Sequence, residues 1–221
     1  GRDGIQVGAA VEGMAIHHNT IRRYALSDDF GHVGGIQVNP GSVGHVYSNL
    51  IESDPSTASE TAIQFSGGED GPSYIYNNVI TGASVSLAFI TRMGNESSPV
   101  HVHNNTFISR YELPTEGISS TGTSTLYLGC SFDGSGTTQD FEITNNIFTN
   151  YGSVGSYIFG TVGSHYSKYF SDDGCFINGD TYGNSLDADL ILPGNLYLQD
   201  PTQVGFLDYA AGDYRLSAGS S

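Results

Sequence analysis

The sequence has no tryptophan, two cysteines, a single lysine and no apolar run near the ~20 residues that a transmembrane helix requires. Each shortage narrows what the chain can be. No insertion into a membrane through an apolar helix is expected of these residues. Seven basic residues face 23 acidic ones, and the net charge of −16 argues against nucleic acid and anionic lipid head groups as partners. A polyanionic polysaccharide would be held only through a bridging divalent cation, whereas a neutral glycan meets no such barrier. Cys130 and Cys175 lack the close spacing of a zinc or redox site, and one disulfide or two buried free thiols both fit them. No charged-then-apolar leader precedes Gly1, so the expectation is that any signal peptide has been removed or lies outside this sequence. Helix-forming windows are scarce, while Ile, Val, Phe and Tyr alternate with Gly, Ser, Thr and Asn, as in many short strands punctuated by turns.

What is present is a repeat. Ile16-His-His-Asn19-Thr-Ile21, Val46-Tyr-Ser-Asn49-Leu-Ile51, Ile75-Tyr-Asn-Asn78-Val-Ile80, Val102-His-Asn-Asn105-Thr-Phe107 and Ile143-Thr-Asn-Asn146-Ile-Phe148 share one register. Their asparagines are separated by 30, 29, 27 and 41 residues, the signature of a solenoid with variable inserts. Upstream of the first three lie Gly4-Ile-Gln-Val7, Gly35-Ile-Gln-Val38 and Ala62-Ile-Gln-Phe65, which alternate as strands with one buried face. Each repeat thus reads as strand, turn, strand, Asn corner, short strand and loop: three strands per coil. Coils stacked in parallel at about 4.8 Å give every strand a partner above and below. The Asn column has two physical reasons, a tolerance of left-handed backbone angles and an amide that can bond the Asn of the next coil.

On these residues the chain resembles the right-handed parallel β-helix superfamily, pectate lyase-like proteins that include polygalacturonases, other polysaccharide lyases and secreted right-handed β-helix repeat proteins. The Asn corner resembles that superfamily's asparagine ladder. Asp200-Pro-Thr-Gln-Val-Gly-Phe-Leu-Asp208 and Ala211-Gly-Asp-Tyr-Arg-Leu216 are similar to the closing segment of the secreted repeat proteins. The resemblance implies an all-β solenoid over residues 1–199, irregular and loop-rich from about 151, then a closing segment at 200–221. It also implies an extracellular or cell-surface location. Gly1 opens almost directly on the first strand, and the expectation is a fragment of a longer protein, with a preceding domain or another chain covering the first coil.

The same resemblance implies where a glycan would lie: on the first sheet and the loops after the third. Gln6, Gln37 and Gln64 point out of the first sheet in one column, and amides in a row suit sugar hydroxyls; a Gln ladder that only stabilises the stack is the alternative. Asp28, Asp54 and Glu60, in neighbouring loops, are candidate ligands for calcium, or simply solvated charges. Asp3, Asp28 and Asp29 are the carboxylates to inspect for glycosidase chemistry, which needs two flanking the scissile bond. Asp28-Asp29-Phe-Gly-His32 resembles the paired Asp and Gly-His-Gly of polygalacturonases, but its spacing departs from theirs and their Arg-Ile-Lys signature is absent. A lyase needs a basic group to take the proton α to a uronate carboxylate. Lys168 lies in the irregular section, so Arg92, near a first-sheet strand, and Arg2 remain. On the second sheet, His17, Tyr47, Tyr76 and His103 share one outward column and His45, Tyr74 and His101 the next; they read as a side-chain ladder or as an aromatic platform for sugars. His101-x-His103 could hold a metal only with a further ligand.

The sequence therefore leads to an extracellular β-helix that binds or processes polysaccharide along its first sheet, with a non-catalytic structural or adhesive module of a larger surface or filament protein as the alternative.

Overall fold

The computed structural model describes residues 3–22, 34–39, 41–53, 61–65, 71–83, 85–89, 99–108, 123–128, 140–149, 156–159, 175–182, 192–198 and 200–218. Over these residues the protein is all-β, and its only helical element is one 3-10 turn at Pro201–Val204. None of the described helices is long and apolar enough to cross a membrane.

Three sheets take one strand in turn from each repeat. The first comprises β1 (Ile5–Val7), β4 (Gly34–Val38), β7 (Thr61–Phe65), β10 (Val85–Phe89), β13 (Thr123–Leu128) and β16 (Ser156–Phe159). The second comprises β2 (Met14–His17), β5 (Gly44–Tyr47), β8 (Ser73–Tyr76), β11 (Val100–His103), β14 (Asp140–Thr144), β17 (Cys175–Ile177) and β18 (Asp180–Tyr182). The third comprises β3 (Thr20–Arg22), β6 (Leu50–Glu52), β9 (Val79–Thr81), β12 (Thr106–Ile108), β15 (Ile147–Thr149) and β19 (Leu196–Leu198). Within these three sheets the described pairing is parallel except between β17 and β18, an arrangement compatible with a parallel β-helix.

The register stacks like on like. Ile5, Ile36, Ile63, Leu87 and Leu126 align in the first sheet, Ile16, Val46, Ile75, Val102 and Ile143 in the second, and Ile21, Ile51, Ile80, Phe107, Phe148 and Tyr197 in the third. Most of these side chains are fully buried in one core, and each buried aliphatic is worth about 1.5–3 kcal/mol relative to exposure. Phe107, Phe148 and Tyr197 stack at 5.1 and 5.3 Å. The Tyr197 hydroxyl accepts the Leu192 N–H at 2.9 Å, so the one polar ring in that column is satisfied. At the start of β5 a side chain would not fit: a Cβ on Gly44 would lie 2.1 Å from the Met14 carbonyl oxygen of the strand below.

Between the second and third sheets runs an asparagine ladder of six rungs: Asn19, Asn49, Asn78, Asn105, Asn146 and Asn195. Each Nδ2 donates to the Oδ1 of the next rung at 2.9–3.0 Å. The same Oδ1 accepts the backbone N–H of the rung before it at 2.9–3.1 Å. From Asn49 onward the second Nδ2 hydrogen goes to a carbonyl of the preceding repeat at 2.8–3.0 Å. Two donors and two lone pairs are thereby used inside the protein, which is why an amide can sit there at almost no exposure. One expectation needs correcting. The left-handed residue is not the ladder Asn but the one before it, His18, Ser48, Asn77, Asn104 and Asn145, with φ between 54° and 57°, and Gly194 at 79°. The bend between sheets falls on that residue and leaves the next side chain pointing inward.

The sixth rung lies in the stretch that reads as irregular in sequence. Leu192-x-x-Asn195-x-Tyr197 fits the same apolar frame, hidden by a 49-residue gap. The second sheet ends nearby in a hairpin, β17 to β18, turned by Asn178 and Gly179 at φ 52° and 87°. Two successive positive φ angles favour Asn-Gly in such turns. Asn178 Oδ1 accepts the Ile143 N–H at 2.7 Å and its Nδ2 donates to the Ile143 carbonyl at 3.0 Å, so one amide does the work of a missing backbone partner.

Asn78→Ala should destabilise the fold by about 3–5 kcal/mol, since the Asn49 backbone and side-chain N–H groups and the Val46 carbonyl lose buried partners at ~1–3 kcal/mol each. Asn19→Ala, at the half-exposed first rung, should cost about 1 kcal/mol. Urea unfolding followed by circular dichroism reads both; equal costs would mean that the ladder is not cooperative with depth.

Candidate functional site

The outward faces of the three sheets differ in what they leave available. On the first, Gln6, Gln37 and Gln64 pair in register, and the column passes to Ala88 and Tyr127 at the next two positions. Gln6 is exposed, Gln37 is half-buried and Gln64 retains 5% exposure. Gln37 Nε2 donates to Asn39 Oδ1 at 3.1 Å, and Asn39 Nδ2 donates to the Val7 carbonyl at 2.8 Å, a short amide relay that fixes the Gln37 side chain over β1. The open part of the column is therefore its first two rungs.

Asp3 stands at the entry of this sheet, half-buried, with Oδ1 accepting the Gly34 N–H at 2.9 Å. That bond extends the β1–β4 pairing by one backbone group and gives the carboxylate a structural task. Asp28, Asp29, His32, Asp54, Glu60, Arg92, Arg2 and Lys168 lie outside the described residues, so neither the carboxylate pair nor the calcium ligands can be assembled. Among the described residues no three His, Cys, Asp or Glu converge on a point that could hold a metal ion. Glu142 Oε2 lies 2.6 Å from His101 Nδ1 in an outward-facing hydrogen bond, and no further ligand joins His101 and His103 among the described residues.

On the second sheet the two ring columns are as regular as the backbone. His17, Tyr47, Tyr76 and His103 stack at 4.7, 4.9 and 5.2 Å, with planes within 18° of parallel. His45, Tyr74 and His101 stack at 4.7 Å, within 9°. Across the columns, His45 meets Tyr76 edge to face at 6.0 Å and 89°, so the columns tilt in opposite senses and interlock. Since ring faces touch at about 3.5–4.0 Å, a 4.7–5.2 Å centroid spacing means offset stacking, the arrangement that the ring quadrupole favours. Within the stack each ring covers its neighbour's face. A sugar that packs on an aromatic face finds those inner faces occupied, and what the wall offers is a row of edges, phenol hydroxyls and imidazole nitrogens. The geometry is that of a side-chain ladder.

The third sheet is partly covered. After Asp200, whose side chain accepts the Thr202 N–H at 2.8 Å in a capping box with Gln203, the chain forms a hairpin of β20 (Phe206–Asp208) and β21 (Asp213–Leu216). Tyr214 hydrogen-bonds Thr81 and lies beside Glu52 and Arg22, which pair with each other, so the hairpin returns along the outside of β3, β6 and β9. Phe206, Tyr209 and Tyr214 form one aromatic cluster. Burial, and then the carboxylate of Glu52, push the Tyr214 phenol above its ordinary range; burial and Asp200 do the same for Tyr209.

No protein-family model, curated protein or solved structure matches this chain.

A phenol raised in the folded state contributes stability that is complete below the unfolded value near 10 and is lost as pH climbs through the folded one. Docking of the C-terminal hairpin should thus loosen only above about pH 10, with Tyr209 and Tyr214 the late-titrating phenols. Phenolate absorbance against pH, compared between wild type and Tyr214→Phe, measures this; loss of an early-titrating tyrosine in the variant would contradict it.

Proposed function

We propose that the protein is an extracellular right-handed parallel β-helix that binds or processes polysaccharide along its first sheet. The observation that carries this reading is the contrast among the three walls. The ladder rings on the second sheet spend their faces on one another, and the hairpin returns over part of the third. The first keeps Gln6 exposed and Gln37 half-buried in one column, with the Asp3 carboxylate at the entry of the sheet. An amide is donor and acceptor at once, which suits hydroxyls of a neutral chain, and the charge of −16 disfavours a polyanion without calcium. Calcium at Asp28, Asp54 and Glu60, and catalysis by Asp28, Asp29, His32 or Arg92 with Asp3, belong to the same proposal. So does a preceding domain or second chain against β1, β2 and β3, the edge strands of all three sheets at that end.

The rival reading, a structural or adhesive module, is favoured by one specific feature: the polar and aromatic side chains that repeat most regularly are bonded to or stacked on their own copies.

A panel of neutral and acidic glycans, scored for retention, unsaturated ends and new reducing ends, separates the two. Binding should fall about threefold to tenfold for each of Gln6→Ala and Gln37→Ala, the equivalent of one hydrogen bond apiece, with unchanged thermal unfolding. Retention of no glycan by the folded wild type would leave the structural module standing.

A further inference from the structure

At the first corner two imidazoles face each other: His17 Nδ1 and His18 Nδ1 are 2.8 Å apart on the exposed surface. Both rings are held. His17 stacks on Tyr47 at 4.7 Å and 18°, while His18 meets His17 edge on at 5.0 Å and 87° and touches Tyr47 at 6.0 Å. His18 occupies the left-handed corner slot, φ 57°, which other repeats fill with Ser48, Asn77, Asn104, Asn145 and Gly194. In the first and fourth repeats that slot aims a side-chain atom at the preceding ring of the outward column. In the fourth repeat the pair is His103 Nδ1 and Asn104 Oδ1 at 2.9 Å, a closed hydrogen bond between an imidazole and an amide oxygen. In the first repeat the amide oxygen is replaced by a second nitrogen. Two imidazole lone pairs at this distance require something between them, either one proton or a cation.

We propose that His17 and His18 form a bidentate nitrogen site for a divalent transition ion of tetragonal preference, copper(II) or nickel(II). Imidazole nitrogens bind such metals at about 2.0–2.1 Å, and two bonds of that length spanning the observed gap enclose roughly 84–89°. This is the cis angle of a square-planar ion. A tetrahedral zinc ion would need the nitrogens about 3.3 Å apart. Coordination through both Nδ1 atoms places each ring's proton on Nε2, so the ring that donates in the metal-free pair changes tautomer and no proton is lost overall. With no third His, Cys, Asp or Glu converging among the described residues, water completes the coordination. The strongly negative chain concentrates cations at its surface.

The full chain, prepared without a polyhistidine tag, is titrated with copper(II) by calorimetry and examined by electron paramagnetic resonance. Wild type should take up one equivalent whose spectrum shows coupling to two nitrogens. His18→Asn installs the residue that three other corners carry and keeps the turn, and His17→Phe keeps the stack on Tyr47. Each should weaken copper(II) binding at least tenfold and remove one nitrogen coupling, with thermal unfolding preserved. If both folded variants bind copper(II) with unchanged affinity and an unchanged spectrum, the ion sits elsewhere and the proposal is wrong.

Discussion

The asparagine ladder is the constraint on which the other features of this fold depend. A stack of short parallel strands leaves a backbone problem at each corner, where the chain turns between sheets and its N–H and C=O groups no longer face a strand. An inward-pointing Asn solves it with one side chain, because Oδ1 takes the backbone and side-chain N–H groups of the rung below while Nδ2 bonds the rung above and a carbonyl of the preceding repeat. Leaving any of these groups unpaired in the interior would cost about 1–3 kcal/mol. The ladder thus fixes the corner, and the corner fixes the register of both adjoining sheets.

Register has consequences on both faces of every strand. Inside, it aligns Ile on Ile and Phe on Phe, so each core column is built from side chains of similar shape one strand apart. Outside, it aligns Tyr and His in interlocked columns, and these rings then cover one another's faces. Charges are treated differently from rings. Arg22 pairs with Glu52 across one strand spacing at the surface, where an ion pair is worth at most about 1 kcal/mol. The wall chemistry is local and contributes less than the ladder beneath it.

Five rungs of the ladder could be read from the sequence because Asn recurs inside a fixed apolar frame, and the frame reports burial directly. The sixth, Asn195, sits in the same frame but follows a long insert, and its preceding residues Pro193 and Gly194 replace the strand that precedes the other corners, so spacing no longer announces it. The Asn178-Gly179 hairpin is a local turn signal that solenoid periodicity draws attention away from. The left-handed angle was legible as a requirement of the corner but not as belonging to its first residue, since His18 and Ser48 carry no mark of it. On the candidate site, the column of Gln6, Gln37 and Gln64 follows from register alone, whereas the near-complete burial of Gln64 depends on what packs over the sheet, which no strand pattern encodes.

A repeating wall tends to consume its own functional groups, because side chains one strand apart are always the nearest partners for each other. Chemistry directed outward should therefore appear where periodicity is broken. The Gln column is broken at Ala88, the ring columns end at Thr144 and Glu142, and the corner slot departs from Ser, Asn and Gly only at His18. At the breaks in the ring columns the last imidazoles turn to other partners, His103 to Asn104 and His101 to Glu142. The exposed amide of Gln6 and the facing nitrogens of His17 and His18 both lie in the first repeat.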